Sequence, residues 1–199
     1  MRTLSYAASY AAAPLAAGLI LAAGQAGAVT VVLGGGLSVE CYSTAENGDP
    51  NEAFEVCTRA LRDPNMTVRD RAATYINRSV IRLRVRDYNG AVGDAAQAIT
   101  RWPSLSEAYV NRGAALINLN RPRDALRELD QAIGMGMDKV HLAYYNRAMA
   151  KEMVEDVRGA YGDLRRVVEL QPNYTLATEQ LKRFQIVNGQ MMMMPMPAR

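Results

Sequence analysis

The chain has 199 residues and a formal net charge of +3, from 23 basic and 20 acidic side chains. This length suits one domain or one short repeat array, and so small a charge excess does not favour a nucleic-acid partner. With a single histidine, two cysteines and no recognisable metal-ligand spacing, the composition argues against an enzyme and against a metal or other cofactor.

The N-terminal stretch carries no charge between Arg2 and Glu40 and contains an apolar run over residues 11–23. A basic residue, an apolar run and the small-residue site Ala26-Gly27-Ala28 are the layout of a secretory signal peptide. We predict a signal over 1–28 with cleavage after Ala28, and a linker over 29–37. Loss of Arg2 leaves 22 − 20 = +2. The mature chain should be periplasmic or secreted, without stable membrane insertion. The alternative is an uncleaved anchor, because a span needs ~20 apolar residues.

The two cysteines flank a predicted turn. Asn47-Gly48-Asp49-Pro50 separates two short helical segments, one carrying Cys41 and the other Cys57. Antiparallel helices joined by such a turn would bring the two side chains together, and in an oxidising compartment an isolated pair is more often bridged than free. We therefore predict a Cys41–Cys57 disulfide in an N-terminal helical hairpin.

A Tyr-x-Asn-Arg phrase occurs three times, beginning at Tyr75, Tyr109 and Tyr144. The intervals are 109 − 75 = 34 and 144 − 109 = 35 residues, which is the period of a helix-turn-helix solenoid. The sequence predicts a helical domain over 38–188. Within it lie repeats over about 72–105, 106–139 and 141–174, each made of helix A, a turn and helix B, followed by a capping helix over 175–188. A disordered, methionine-rich tail is expected over 189–199.

Small residues recur at equivalent points of the three repeats. They are Ser79, Gly113 and Ala148 on helix A, and Ala91, Ala125 and Ala160 at the start of helix B. With these residues and this period, the chain resembles tetratricopeptide repeat (TPR) proteins, and in particular the small exported bacterial ones. The resemblance implies an all-α, right-handed helix-turn-helix solenoid of three TPR repeats, with an N-terminal helical hairpin cap and a C-terminal capping helix.

The resemblance also implies a binding groove lined by the A helices. Carried onto this chain, its residues are Ile76, Asn77, Val80, Val110, Asn111, Ala114, Tyr145, Asn146 and Met149. Carboxamides can both donate to and accept from a peptide backbone, so the three asparagines suit an extended peptide. The alternative is that they satisfy neighbouring helix groups and contact no ligand. Function is then expected to be non-catalytic binding of a protein or peptide in the bacterial cell envelope. The open ends of so short an array also favour a homodimer.

Each arginine of the repeated phrase lies sixteen residues before an acidic residue. The pairs are Arg78 with Asp94, Arg112 with Glu128 and Arg147 with Asp163. We predict three equivalent ion pairs between helix A and helix B, the alternative being six solvated charges.

Three other features are candidate functional sites. Arg78, Arg82 and Arg86 recur at four-residue spacing and could meet an anionic surface, although a solvated face with partial pairing to Asp94 is favoured. The thioethers of residues 191–194 and 196 could bind a soft metal such as Cu(I). These two features support the alternative function, a soft-metal or anionic-surface binding protein. His141 opens a helix beside Lys139, where a solvated capping role is favoured.

Overall fold

The computed structural model describes residues 37–187 and 190–194. The predicted signal peptide, residues 29–36 of the predicted linker and residues 195–199 of the tail lie outside these ranges. The described residues form nine helices and one two-stranded hairpin: α1 Leu37–Asn47, α2 Pro50–Leu61, α3 Val68–Arg84, α4 Tyr88–Arg101, α5 Ser106–Asn118, α6 Pro122–Met135, α7 Val140–Met153, α8 Val157–Leu170, α9 Thr175–Leu181, β1 Phe184–Val187 and β2 Gln190–Met193.

The first two helices form the predicted hairpin. Asp49 caps α2, because its carboxylate accepts from the backbone N–H groups of Asn51 and Glu52 at 2.9 and 3.1 Å. α1 packs on α2, and both contact α3. Cys41 and Cys57 are fully buried between them and are joined by a disulfide, so the predicted pairing is confirmed.

The three repeats follow as α3–α4, α5–α6 and α7–α8. Each A helix packs against its own B helix, each B helix packs against the next A helix, and the A helices contact one another in series. This pattern confirms the predicted all-α helix-turn-helix solenoid. Its core is built from alanines and aliphatic residues, since Ala91, Ala125 and Ala160 are each fully buried where helix B begins.

Gly113 shows why a small residue is needed on helix A. A Cβ atom placed there would lie 2.8 Å from Cγ of Leu129 on α6, closer than real Cβ contacts. Ala148 takes the equivalent position in α7 and is completely buried. The close approach of helices A and B therefore depends on this position, as the repeated small residues predicted.

Two residues after each A helix, the backbone takes a left-handed conformation. Arg86, Asn120 and Glu155 have φ values of 64°, 56° and 63°. Asp87 and Asp156 follow two of them and cap the next helix, each accepting from a glycine N–H at 2.9 Å. The turn between helices A and B is thus the same in all three repeats, although none of them has glycine at the left-handed position.

The C-terminal cap differs from the expected helix over 175–188. α9 ends at Leu181, and β1 pairs antiparallel with β2, with Val187 opposite Gln190. The expected helix rested on Asn188-Gly189, which can stop a helix. The same dipeptide is a strong hairpin signal when β-branched residues precede it. Residues 190–193, assigned to the disordered tail, are therefore a strand.

Candidate binding face

The nine predicted groove residues lie on the three A helices, which contact one another in the order α3, α5, α7. We call this set of nine the A-helix face. All nine are buried, with exposures from 0% for Ile76 to 8% for Val80. A ligand that reaches them must therefore penetrate between apolar side chains and exclude water. Their contact with a ligand stays a prediction.

The asparagines of this face differ in their hydrogen bonding. Asn111 Nδ2 donates to Ser79 Oγ at 3.0 Å, and Ser79 in turn donates to the Ile76 carbonyl at 2.6 Å. Asn111 therefore links the second repeat to the first, as the packing alternative expected. Asn77 Oδ1 is buried without a hydrogen-bond partner among the described residues.

The three predicted ion pairs are confirmed. Arg78 and Arg147 each hold their aspartate through two nitrogen–oxygen contacts of 2.7–2.9 Å. Arg112 reaches Glu128 at 2.5 Å. Asp94 and Asp163 are 4% and 5% exposed, so these pairs are largely removed from water.

Each of the three arginines also lies over the tyrosine of its own phrase. The guanidinium carbon is 5.2–5.6 Å from the ring centroid of Tyr75, Tyr109 or Tyr144. Such cation–π contacts add to the ion pairs. The Tyr-x-Asn-Arg phrase therefore acts as a structural unit that fixes helix A on helix B, which explains its recurrence.

The arginines at four-residue spacing, Arg78, Arg82 and Arg86, are not a row of free cations. Arg78 pairs with Asp94, and Arg82 Nε lies 2.8 Å from Asp94 while its Nη1 contacts Asp87. Arg86 lies beyond the end of α3, in the left-handed turn. The partly paired face favoured by the sequence is therefore present, and only Arg86 is exposed.

A polar cluster that the sequence analysis missed lies next to the A-helix face on α7. Glu152 Oε2 accepts from Arg183 Nη1 at 3.1 Å, and both side chains are more than nine-tenths buried. Arg183 also donates from Nε to the Met194 carbonyl at 3.0 Å and from Nη1 to Gln180 at 2.5 Å. The available signal was the spacing of Glu152, three residues after Met149 on the same helical stripe.

Aromatic rings lie beside this cluster. The ring of Tyr174 meets those of Tyr145 and His141 edge-on, at centroid distances of 5.3 and 5.5 Å. Burial raises the pKa of Tyr174 to about 12. Burial also raises the pKa of Tyr145, with smaller contributions from Tyr174 and Glu152 that Arg183 opposes.

The pKa of Glu152 lies above its ordinary range because burial disfavours the carboxylate, although Arg183 opposes that shift. The pKa of His141 is lowered by burial and by the nearby Lys139. His141 packs against Tyr174, and α7 begins without a side-chain cap hydrogen bond, so the predicted role of His141 as a solvated cap is wrong.

Comparison with solved structures agrees with this architecture. Two solved structures, the MamA RS-1 ArsTM double mutant and MamA 41-end from Desulfovibrio magneticus RS-1, are each 18% identical to the chain, with TM-scores of 0.59 and 0.60. In both cases the match covers 74% of this chain and 82% of the solved structure's chain. A tetratricopeptide repeat protein from Parabacteroides merdae ATCC 43184 is also 18% identical, with a TM-score of 0.58, covering 72% of the chain and 54% of its own. The chain has a TPR-like fold. No protein-family model and no curated protein matches it.

The described part of the array holds no cluster of metal-ligating side chains. Within residues 37–187 and 190–194, no three His, Cys, Asp or Glu residues converge on one point. Strand pairing also divides the methionines, because Met191 and Met193 share one side of the hairpin and Met192 lies on the other. Among the described residues, no helix has the length and apolar character to cross a membrane.

Proposed function

We propose that this protein is a non-catalytic scaffold of the bacterial cell envelope that binds a protein or peptide through the A-helix face. The observation that carries the proposal is the serial contact of α3, α5 and α7. It places Val110 and Tyr145 in one buried cluster, and Ile76 on the neighbouring α3 in another. Apolar side chains on successive A helices fit an extended or helical segment of a partner.

Two further observations support the binding role. The repeated polar groups of helix A, the three arginines, are used in ion pairs inside the fold and are not available for chemistry. Solved structures with this architecture include a TPR protein, and TPR-like arrays are scaffolds for protein interaction. The face between the caps is therefore the feature of this chain that is suited to a partner.

The proposed location rests on the disulfide. Cys41 and Cys57 are bridged, and such bridges form and persist in oxidising compartments such as the periplasm. The uncharged stretch before Glu40 has the layout of an export signal. Together they support a bacterial envelope location with the signal removed near Ala28.

The test is retention of partners from an envelope extract by two matched variants of the exported chain. Val110→Ala alters the A-helix face, whereas Val167→Ala removes the same two methyl groups from the buried side of α8. Both should lower stability by about 1–3 kcal/mol, because both leave a cavity. At a temperature where both remain folded by circular dichroism, Val110→Ala should lose retained protein and Val167→Ala should keep it. Equal retention by the two variants would contradict the proposed face.

A further inference from the structure

We propose that Glu152 and Arg183 form a recognition site for the neutral carboxamide group of a side chain of the bound segment. This rests on the proposed function, and it assigns the α7 end of the A-helix face as the point that fixes the position of a peptide along the array. The carboxylate would accept from the amide N–H, and the guanidinium would donate to the amide oxygen.

The fold leaves one hydrogen-bond acceptor of Glu152 and one donor group of Arg183 unused. Glu152 Oε1 and Arg183 Nη2 are both buried and have no hydrogen-bond partner within residues 37–187 and 190–194. Each shares its planar group with an atom of the 3.1 Å contact between Oε2 and Nη1. The unused acceptor Oε1 and the unused donor Nη2 are therefore each separated from the Oε2–Nη1 contact by a single carbon atom.

Arg183 is also already positioned. Its Nε is held by the Met194 carbonyl and its Nη1 by Gln180 and Glu152. A guanidinium has five N–H groups in a rigid plane, so these bonds orient Nη2 without using it. A buried polar group left unused in this way is unfavourable unless a further partner completes it.

The charge of the pair also matters. Glu152 and Arg183 form a pair with no net charge, so a carboxylate would face the carboxylate of Glu152 and an ammonium would face the guanidinium of Arg183. An amide offers one donor and one acceptor without a charge, which matches the two unused atoms.

The test uses three small probes on the chain as recovered from the cells that export it. Phenylacetamide carries the amide, while phenylacetate and phenethylamine carry the two charged groups on the same ring. Binding is followed by the NMR signal of the Arg183 Nε–H. We expect a saturable shift with phenylacetamide and at least fivefold weaker binding of either charged probe.

Two variants make the assignment specific. Glu152→Gln presents an amide N–H₂ where the acceptor was, and Arg183→Lys keeps the charge but removes Nη2. Each should weaken phenylacetamide binding at least fivefold, whereas Glu169→Gln on the exposed side of α8 should not. Melting curves of all three confirm that the fold persists. If one variant does not fold, the other carries the test.

The inference is overturned if the three probes bind alike, if no probe shifts the signal, or if a crystal structure shows an ordered water only between Oε1 and Nη2. Because no partner is needed, this outcome is separate from failure of the proposed function. Amide-selective binding with no retained envelope protein would contradict the scaffold role alone. Retention lost in Val110→Ala, with probes that bind alike, would contradict the amide site alone.

Discussion

Replacing the left-handed residues at the ends of the A helices by glycine should stabilise the protein. Arg86 and Glu155 have φ values of 64° and 63°, where the Cβ atom of an L-residue is crowded. Both side chains are exposed, and none of the described hydrogen bonds or ion pairs uses them. The substitutions Arg86→Gly and Glu155→Gly therefore act on the backbone alone.

The expected magnitude is a difference of two effects. A non-glycine residue in this conformation costs about 1–2 kcal/mol. Glycine makes the unfolded chain more flexible, which costs about 0.4–1 kcal/mol. Each substitution should thus add roughly 0.5–1 kcal/mol to the free energy of unfolding, and the midpoint should rise by ~2–4 °C per kcal/mol for a chain of this size.

Asn120 supplies a matched control. It takes the same turn in the second repeat, with φ 56°, but asparagine tolerates the left-handed region. Asn120→Gly should therefore change the free energy of unfolding by much less than Arg86→Gly. Urea and thermal unfolding followed by circular dichroism measure all three. If Arg86→Gly and Glu155→Gly both lower the midpoint, or if Asn120→Gly raises it as much, the strain argument is refuted.

Three further predictions concern stability. Reduction of the Cys41–Cys57 bond, which spans 16 positions, should lower the free energy of unfolding by ~3 kcal/mol in the chain-entropy model, measured by urea titration with and without reductant. Asp163→Asn should lower it by about 2–3 kcal/mol, because Arg147 and Lys151 lose their largely buried partner. Glu152 binds a proton more tightly in the folded state, since its pKa is raised there. Its contribution favours folding below the ordinary glutamate pKa and declines as pH rises, so Glu152→Gln should gain stability relative to the natural chain as pH rises above 4.5.

Each of these has a clear contrary outcome. A melting curve unchanged by reductant would show that the hairpin does not depend on its bridge. Asp163→Asn should cost more than Glu128→Gln in the second repeat, where the acid is 19% exposed, and the reverse order would contradict the role of burial. For Glu152, a stability difference that is constant across the pH range would mean that the carboxyl titrates alike in both states.

The parts of the fold that repeat were predictable from the sequence. The Tyr-x-Asn-Arg phrase recurs because each copy makes the same contact between helix A and helix B. The acidic residue sixteen positions later identifies that contact. The disulfide was predictable for a similar reason, since a turn between two short helices leaves its cysteines a single arrangement. In both cases the spacing of residues along the sequence is enough to predict the contact.

The parts that occur once were harder to predict. Asn188-Gly189 can end a helix or connect two strands, and the tertiary packing of Phe184 on Tyr161 of α8 is absent from the local sequence. The pair of Glu152 with Arg183 joins residues 31 positions apart through that same unexpected cap. The buried state of Asn111 also depends on Ser79 of the preceding repeat, so its hydrogen bond could not be deduced from its own helix.

The central proposal for this protein is that a partner binds across the A-helix face. The most direct measurement is methyl NMR of the exported chain, titrated with the protein retained from the envelope extract. Ile76, Val110 and Met149 report on the face, whereas Ile186 and Met192 report on the C-terminal hairpin, where they are 75% and 44% exposed. The account predicts saturable shifts of the first three signals with the hairpin signals unchanged. Shifts confined to Ile186 and Met192 would contradict it and assign binding to the methionine-rich hairpin.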